Sequence, residues 1–366
     1  MVKTWLFDIF NYPGSGDTRV FDHEGCQRLF DWHMDAWIAA EEAGFEGLFF
    51  SEHHFTPYSV SPSPNLLVAA TAQRTSRMKL GVMANIMAMH NPRRLAEEAA
   101  MLDYLTHGRL ELGLGRGIDE REFSREGIPM EESRPRFEEG LALMRTMLQE
   151  PVFTHKGTYS NYAEPTALWP QARPREFNPW IVTLSPPTIE WCAKQGYRIS
   201  TAFQPTASLG EIHRNYRRAS AEAGKPSGAD QIMVLRNVFC ADTDEEARAI
   251  AEPALNHMFG LFREAIVWDD LGNVPKGYQS DFYEAFFRPF AGSGPVDWDI
   301  LNDLGILVVG SPETVRAKLV DQMQELGASN LLVWGSFGTL TKEETIRSFE
   351  LIGRDVIPAL KDVTVG

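Results

Sequence analysis

The sequence LAEEAAMLDYLTHGRLELGLGRG, residues 95–117, decides which fold the chain can adopt. Apolar residues in its first half recur at intervals of four, three and three, which places them on one face of a helix. They are Leu95, Ala99, Leu102 and Leu105. Gly108 suits the left-handed conformation that ends a helix, and the alternating leucines that follow predict a strand leading to Arg116. This helix and strand form half of a repeating βα unit, in which ligands bind at the carboxyl end of the strand.

Arg116 has two possible roles at this strand end. It can be a surface arginine that pairs with Asp119 or Glu120, like many exposed charges. It can also be an anion clamp, because glycines on both sides allow the backbone to approach a phosphate while the guanidinium supplies a forked donor. The local sequence leaves both interpretations open.

Composition narrows the class of protein. A chain of 366 residues with 43% hydrophobic residues can form two modest domains or one large α/β barrel. No apolar run reaches the roughly 18 to 20 residues that span a membrane, and the first ten residues do not resemble a leader, so we expect a cytoplasmic protein without a membrane partner. The net charge of −15 disfavours nucleic acid as a partner, so any phosphate site must be a local cationic pocket.

The cysteines argue against a disulfide framework and against a zinc site. Cys26, Cys192 and Cys240 are far apart and odd in number. We expect them to be reduced and mostly buried. No histidine spacing typical of a metal site recurs at the predicted strand ends, and no metal is expected.

The whole chain alternates strands and helices with short links, which predicts parallel strands and crossover helices. The predicted strands cover residues 3–10, 46–51, 78–86, 110–114, 180–184, 198–202, 231–240 and 330–334. Eight such units favour an α/β fold of the (β/α)8 class, a TIM barrel forming one domain over residues 1–366, rather than an open sheet. Two insertions at its C-terminal mouth are expected, at 152–178 and 263–304. The second is rich in aromatic residues and is expected to close over the site as a lid.

A barrel brings the carboxyl ends of all its strands to one mouth. The residues expected there are Glu52, His53, His54, Met83, Ala84, Asn85, Arg116, Ser185, Trp334 and Gly335. One pocket should therefore collect residues that are far apart in the sequence.

Several motifs in one order carry a resemblance to a known family. They are EHHF at 52–55, HNPRRLAEEAAMLDYLTHGRLELGLGRG at 90–117, SRPRFEEGL at 133–141, SPPTIEW at 185–191, the later VGSPETV, and SFG at 336–338. Together they cover most of the chain, and with them it resembles the bacterial luciferase-like flavin-dependent monooxygenases. The resemblance implies a (β/α)8 barrel, in agreement with the strand count.

The resemblance also implies how a flavin would bind. Arg116, Arg134 and Ser185 match the positions that bind the flavin phosphate. Two guanidinium groups, a hydroxyl and the free N–H groups of the helix that begins near Ser185 could converge on a dianion.

Residues beside the flavin ring follow from the same match. Met83 and Ala84 fall where family members have a non-prolyl cis peptide beneath the isoalloxazine, and Asn85 and Leu184 are expected in the same cofactor site. Gly115 falls where luciferase has a cysteine near the ring, and the smaller residue leaves more room.

Three residues are candidates for catalysis. His53 aligns with a histidine implicated in luciferase catalysis, and imidazole can exchange a proton near neutral pH. His54 is more typical of a residue that caps or packs a loop. Glu52 is expected to orient a histidine or backbone groups.

The function implied by the resemblance is that of an FMN-dependent monooxygenase. Reduced FMN (FMNH2) and O2 would form a C4a-(hydro)peroxyflavin that oxygenates a small hydrophobic organic substrate, with a separate flavin reductase supplying the FMNH2. One alternative is a deazaflavin-dependent hydride-transfer oxidoreductase on the same barrel, and another is a non-catalytic flavin-binding barrel. A homodimer is expected, and Phe30, Trp32 and Trp37 of the predicted helix 26–43 are its expected contact.

Overall fold

A ring of parallel strands forms the centre of the molecule in the computed structural model, which describes residues 1–14, 16–174, 176–265 and 294–365. The β-strands of the described residues, which include two outside the ring, β7 and β8, are β1 (Lys3–Asp8), β2 (Gly47–Phe50), β3 (Lys79–Val82), β4 (Asn85–Ile86), β5 (Leu110–Glu111), β6 (Gly113–Gly115), β7 (Phe153–Lys156), β8 (Asn161–Thr166), β9 (Trp180–Val182), β10 (Arg198–Thr201), β11 (Ile232–Cys240), β12 (Leu307–Gly310) and β13 (Asn330–Ser336). The α-helices are α1 (His23–Ala43), α2 (Pro64–Ala72), α3 (Pro92–Leu105), α4 (Glu120–Arg125), α5 (Ser133–Gln149), α6 (Pro186–Gln195), α7 (Thr206–Glu222), α8 (Asp244–Ala265), α9 (Trp298–Asp303), α10 (Pro312–Leu326), α11 (Lys342–Leu351) and α12 (Ile357–Asp362).

The strand pairing closes on itself. Parallel pairs run from β1 through β2 to β3, then from β3 to β5 and from β4 to β6. They continue through β9, β10, β11 and β13 back to β1. Two residues separate β3 from β4 and one separates β5 from β6, so each of these pairs acts as one barrel strand. The predicted (β/α)8 architecture is confirmed.

Two apolar layers stabilise this ring. Leu332 and Trp334 of β13 belong to the cluster inside the barrel, whereas Leu331 and Val333 belong to the cluster between the strands and the helices. Both faces of the strand are therefore buried, which explains why its sequence is a continuous apolar run rather than an alternating one.

The structure describes most of the first predicted insertion but only the two ends of the second. Within 152–178, β7 and β8 form an antiparallel hairpin outside the barrel sheet. Of the predicted lid at 263–304, residues 266–293 lie outside the described residues, and the flanks are helical in α8 and α9. The sequence analysis also missed β12, which pairs with the second half of β11.

The position of Trp37 in α1 contradicts part of the predicted dimer contact. Trp37 is buried, and its Nε1 donates a hydrogen bond of 2.7 Å to Asp8 Oδ2. A residue bound in the core cannot meet a second subunit, so this part of the prediction is wrong. Phe30 is exposed and Trp32 is partly buried. The homodimer itself stays a prediction.

The cysteines agree with the sequence analysis. All three are free thiols, and Cys192 and Cys240 are buried while Cys26 is partly exposed. Across the part of the chain that the structure describes, every helix is too short or too polar to cross a lipid bilayer.

Gly81 allows the barrel strands to pack, which gives a test of the fold. A Cβ at this position would lie 2.3 Å from the carbonyl oxygen of Glu111 and 2.8 Å from the ring of Phe49. The oxygen belongs to the strand β5 that pairs with β3, so it cannot move without disturbing the ring. We expect Gly81→Ala to lower the free energy of unfolding by about 1–3 kcal/mol or more, measured by urea denaturation.

The matched control is Gly260→Ala in α8, where the new Cβ would have no atom of the described residues within 4 Å apart from the backbone of its own helix. It should change stability by at most about 1 kcal/mol, towards greater stability. Equal stability of the two variants would contradict the packing described above.

Candidate active site

A cavity opens at the carboxyl ends of the barrel strands. It is a space of about 1190 Å³ that extends to the solvent. Of the residues predicted in the site, its walls contain Glu52, His53, Met83, Ala84, Gly115, Arg116, Leu184, Ser185 and Trp334. The barrel therefore brings most of the predicted site residues together.

Polar groups reach the cavity from the ends of the neighbouring strands β6 and β9. Arg116 follows β6, and its Nε donates a hydrogen bond of 2.9 Å to Ser133 Oγ. Ser185 follows β9 and precedes α6, and its Oγ donates a hydrogen bond of 2.9 Å to Thr188 Oγ1. Thr188, which the sequence analysis did not single out, also lines the cavity. A guanidinium and two hydroxyls are a donor set suited to an anion.

The helix α6 does not offer the N–H groups that were expected. It begins with Pro186 and Pro187, and proline has no N–H. The N–H groups of Thr188 and Ile189 both donate to the carbonyl of Ser185, at 3.1 Å. That part of the prediction is wrong, and the sequence Ser-Pro-Pro could have shown it.

Arg134 lies close to this region without lining the cavity. It is in the first turn of α5, next to the buried Ser133 that binds Arg116. Its Nε donates to Glu138 Oε1 at 2.9 Å, and both side chains are 42% exposed. Its predicted contact with the phosphate stays a prediction.

A second part of the cavity wall is formed by β4 and β6. The Met83–Ala84 peptide bond is cis, which confirms the prediction for this bond. A Cβ on Gly115 would lie 3.0 Å from the Cβ of Ala84, so a side chain there would crowd the wall. Asn85 is buried outside the cavity lining, and its Oδ1 has no hydrogen-bond partner among the described residues.

Glu52 is the centre of a buried polar cluster. Its carboxylate contacts Nε2 of His90 at 2.9 Å and Nε2 of His54 at 3.2 Å, and it accepts the N–H of Ile86 at 3.2 Å. Burial opposes its ionisation, but the hydrogen bonds from the two histidines lower its pKa to about 2. Glu52 therefore binds two histidines and one backbone N–H, and its predicted orienting role stays a prediction. The sequence analysis gave His90 no role.

The cluster also affects its histidines. The hydrogen bond to Glu52 raises the pKa of His54. Burial opposes protonation of His90, but the hydrogen bond to Glu52 outweighs it and raises the pKa of His90 as well. His54 lies outside the cavity lining, and its role stays a prediction.

His53 contacts a different carboxylate. Its Nδ1 lies 3.2 Å from Oε1 of Glu122, which also accepts the N–H of His54 at 2.6 Å. Glu122 is buried in α4, a short helix that the sequence analysis did not predict. Its neighbours in sequence are mostly charged, so no local pattern indicated that this one glutamate is buried.

Aromatic side chains form the remaining wall. Trp334 contacts Phe7, Tyr58 and Phe203 with ring centroids 5.7, 6.5 and 5.9 Å away. Phe262 extends the wall next to Tyr58 and Phe203. Burial raises the pKa of Tyr58 well above its usual value, so its hydroxyl stays protonated. This side of the cavity suits an apolar ligand.

The sequence itself matches the family model of luciferase-like monooxygenases over residues 27–330. The chain belongs to this family. Among the described residues of this luciferase-like protein, no group of three or more histidine, cysteine or acidic side chains is arranged to hold a metal ion.

Individual relatives agree with this assignment. The 3,6-diketocamphane 1,6-monooxygenase of Pseudomonas putida is 27% identical to this chain, over 92% of this chain and 94% of its own length.

Two solved structures share the fold. The oxygenating constituent of 3,6-diketocamphane monooxygenase from Pseudomonas putida, a type II Baeyer–Villiger monooxygenase in complex with FMN, has a TM-score of 0.79 at 24% identity, covering 100% of this chain and 99% of the other. The coenzyme F420-dependent tetrahydromethanopterin reductase from Methanopyrus kandleri has a TM-score of 0.66 at 17% identity, covering 98% and 99%.

The Glu52 cluster predicts how stability depends on pH. The pKa of Glu52 falls from 4.5 to about 2 on folding, so its stabilisation is complete above pH 4.5 and is lost as the pH falls towards 2. The pKa values of His54 and His90 rise from 6.5, so their stabilisation is complete below pH 6.5 and is lost at higher pH. Glu52→Gln should lower the free energy of unfolding by about 3 kcal/mol between these limits and by less outside them.

Urea denaturation at a series of pH values measures this difference. Glu120→Gln is the control, because Glu120 is exposed on α4 and should change stability little at any pH. A Glu52→Gln difference that does not vary with pH would contradict the account of the cluster.

Proposed function

We propose that this chain is the oxygenase component of an FMN-dependent monooxygenase, which uses reduced FMN and O2 to oxygenate a small hydrophobic organic molecule. The observation that carries this proposal is the make-up of one cavity. A guanidinium and two hydroxyls reach it from neighbouring strand ends, an imidazole reaches it from another strand, and much of the remaining wall is apolar.

The phosphate of FMN would bind next to Arg116, Ser185 and Thr188. The chain carries a net charge of −15, so it repels a dianion except where a cation is fixed. The guanidinium of Arg116 is held by Ser133 and carries several N–H groups, and the two hydroxyls can turn to donate. Arg134, one residue from Ser133, is the proposed second cation.

The flavin ring would lie against Met83, Ala84, Gly115 and Leu184. The absence of a side chain on Gly115 keeps this wall open, since a Cβ there would already touch Ala84. Reduced FMN, when bound, would supply the electrons that activate O2.

His53 would accept and donate protons in this cavity. Its imidazole lies 5.2 Å from the ring of Tyr58, measured between centroids, and so next to the aromatic wall. The aromatic wall would exclude water and hold a hydrophobic substrate. The name of the diketocamphane relative supports a cyclic ketone as one class of substrate to test.

The reduced flavin would come from a separate reductase. The sequence at residues 113–117, GLGRG, does not have the spacing of a dinucleotide-binding fingerprint, and we found no other candidate. A reductase with its own nicotinamide site would then supply the reduced FMN.

A deazaflavin-dependent oxidoreductase is the second candidate. The fold shared with an F420-dependent reductase favours it, because the same barrel accommodates both cofactors. A non-catalytic flavin-binding barrel is a weaker alternative, since it would have no need for His53 beside a buried glutamate.

A single-turnover experiment separates these functions. The protein is mixed with photoreduced FMN under anaerobic conditions, and then with oxygen-18 gas and one member of a panel of ketones and aldehydes. We expect at least one substrate to yield a product with one labelled oxygen atom, and to lower the hydrogen peroxide released per reduced FMN. Mass spectrometry and a peroxide assay measure both quantities.

Titrations with reduced FMN and with reduced F420 provide the control for cofactor choice. The proposal predicts tighter binding of FMN. Tighter binding of F420, with no labelled product from any substrate, would favour hydride transfer instead. Peroxide release that no substrate changes would favour the non-catalytic barrel.

A further inference from the structure

Two buried carboxylates hold the loop that carries His53. Glu52 binds His54 and His90 and makes no hydrogen bond to His53. Glu122 binds the ring of His53 and the backbone of His54. Of these two carboxylates, only Glu122 can act directly on the imidazole that lines the cavity.

The contact of Glu122 fixes the position of one proton. Its Oε1 accepts the backbone N–H of His54 at 2.6 Å, so this oxygen is an acceptor. The same oxygen faces Nδ1 of His53 at 3.2 Å, and an ionised carboxylate can only accept hydrogen bonds, so beside an ionised Glu122 it is Nδ1 that donates and carries the proton. In the neutral ring, Nε2 is then unprotonated, and none of the described residues hydrogen-bonds to it.

Neighbouring residues hold Glu122 in place. Asp119 begins α4 by accepting the N–H of Arg121 at 2.8 Å, and Phe123 is fully buried. A Cβ on Gly117 would lie 2.6 Å from the ring of Phe123, so glycine at this position allows the helix to approach the barrel. The turn that presents Arg116 therefore also sets the position of Glu122.

We propose that Glu122 is a positioning residue for His53: it holds the proton on Nδ1 and leaves Nε2 free to accept a proton from a group bound in the cavity. This inference rests on the proposed function. A purely structural Glu122 would anchor the loop through His54 alone and would not control the tautomer of His53.

Nitrogen-15 NMR of the histidine rings reads the tautomer directly. The His53 signals are assigned by their loss in His53→Asn. We expect the neutral ring of His53 in the wild-type protein to show an unprotonated Nε2. In Glu122→Ala, nothing holds the proton on Nδ1, so we expect a measurable population with the proton on Nε2.

Turnover provides the functional readout, as product formed per reduced FMN consumed. His53→Asn and Glu122→Ala should each lower this ratio about tenfold or more. The double variant should be no worse than His53→Asn within about twofold, because Glu122 acts through His53. The affinity for FMN should change by less than about twofold.

Two further variants serve as controls. Glu120→Ala removes the same atoms from an exposed position of the same helix and should leave tautomer and turnover unchanged. If Glu122→Ala does not fold, Glu122→Gln replaces it. An amide can donate as well as accept, so this variant should show a mixture of tautomers and a smaller loss of turnover.

The outcomes separate the inference from the proposed function. If His53→Asn lowers turnover but neither Glu122 variant changes tautomer or turnover, the inference is wrong and the proposed function stands. If the effects of His53 and Glu122 multiply in the double variant, Glu122 acts independently and the inference is also wrong. If His53→Asn leaves turnover unchanged, the proton role of His53 fails, and the inference fails with it.

Discussion

Closure of the parallel sheet is the constraint on which the site depends. The pairing of β3 with β5 and of β4 with β6 joins the two ends of the sheet, so that every barrel strand points its carboxyl end at one mouth. Residues from distant parts of the chain thereby become neighbours. Arg116 and Ser185 follow the paired strands β6 and β9, and His53 reaches the same cavity from β2.

Within this frame, buried carboxylates organise the polar side of the cavity. Isolated charges are costly to bury, and Glu52 is tolerated because His54, His90 and a backbone N–H satisfy it. Glu122 is satisfied in the same way by His53 and the backbone of His54. Two buried carboxylates thus hold the loop that carries His53 and His54. They fix the position of His53, the candidate catalytic residue, through buried contacts rather than exposed ones.

Periodicity in the sequence predicted the barrel well and its polar contacts poorly. Buried strands have apolar sequences, as in the strand that ends near Val82 and in the leucines before Arg116. The number of such apolar runs therefore predicted the number of barrel strands correctly. Leu307–Gly310 was missed although it is an apolar run, because it adds an extra strand to a barrel already complete with eight. Glu122 was missed for a different reason: its burial depends on the approach of α4 to the barrel, which no local pattern encodes.

The resemblance supplied what periodicity could not, and the structure corrected it in detail. It placed Met83, Ala84, Arg116 and Ser185 at one site, and all four line the cavity. The free N–H groups that helix geometry led us to expect at the N-terminus of α6 are missing, because Pro186 and Pro187 have none. The donors that the structure shows at this end of the cavity are the side chains of Arg116, Ser185 and Thr188.

The affinity of one variant for two flavins tests this account most directly. FMN and riboflavin differ only by the phosphate, and fluorescence titration measures the dissociation constant of each. A charge-assisted hydrogen bond contributes about 1.5–3 kcal/mol, so Arg116→Ala should weaken FMN binding by about 10- to 100-fold and leave riboflavin binding within about twofold. Unchanged FMN affinity, or equal losses for both flavins, would contradict the claim that Arg116 holds the phosphate in this cavity.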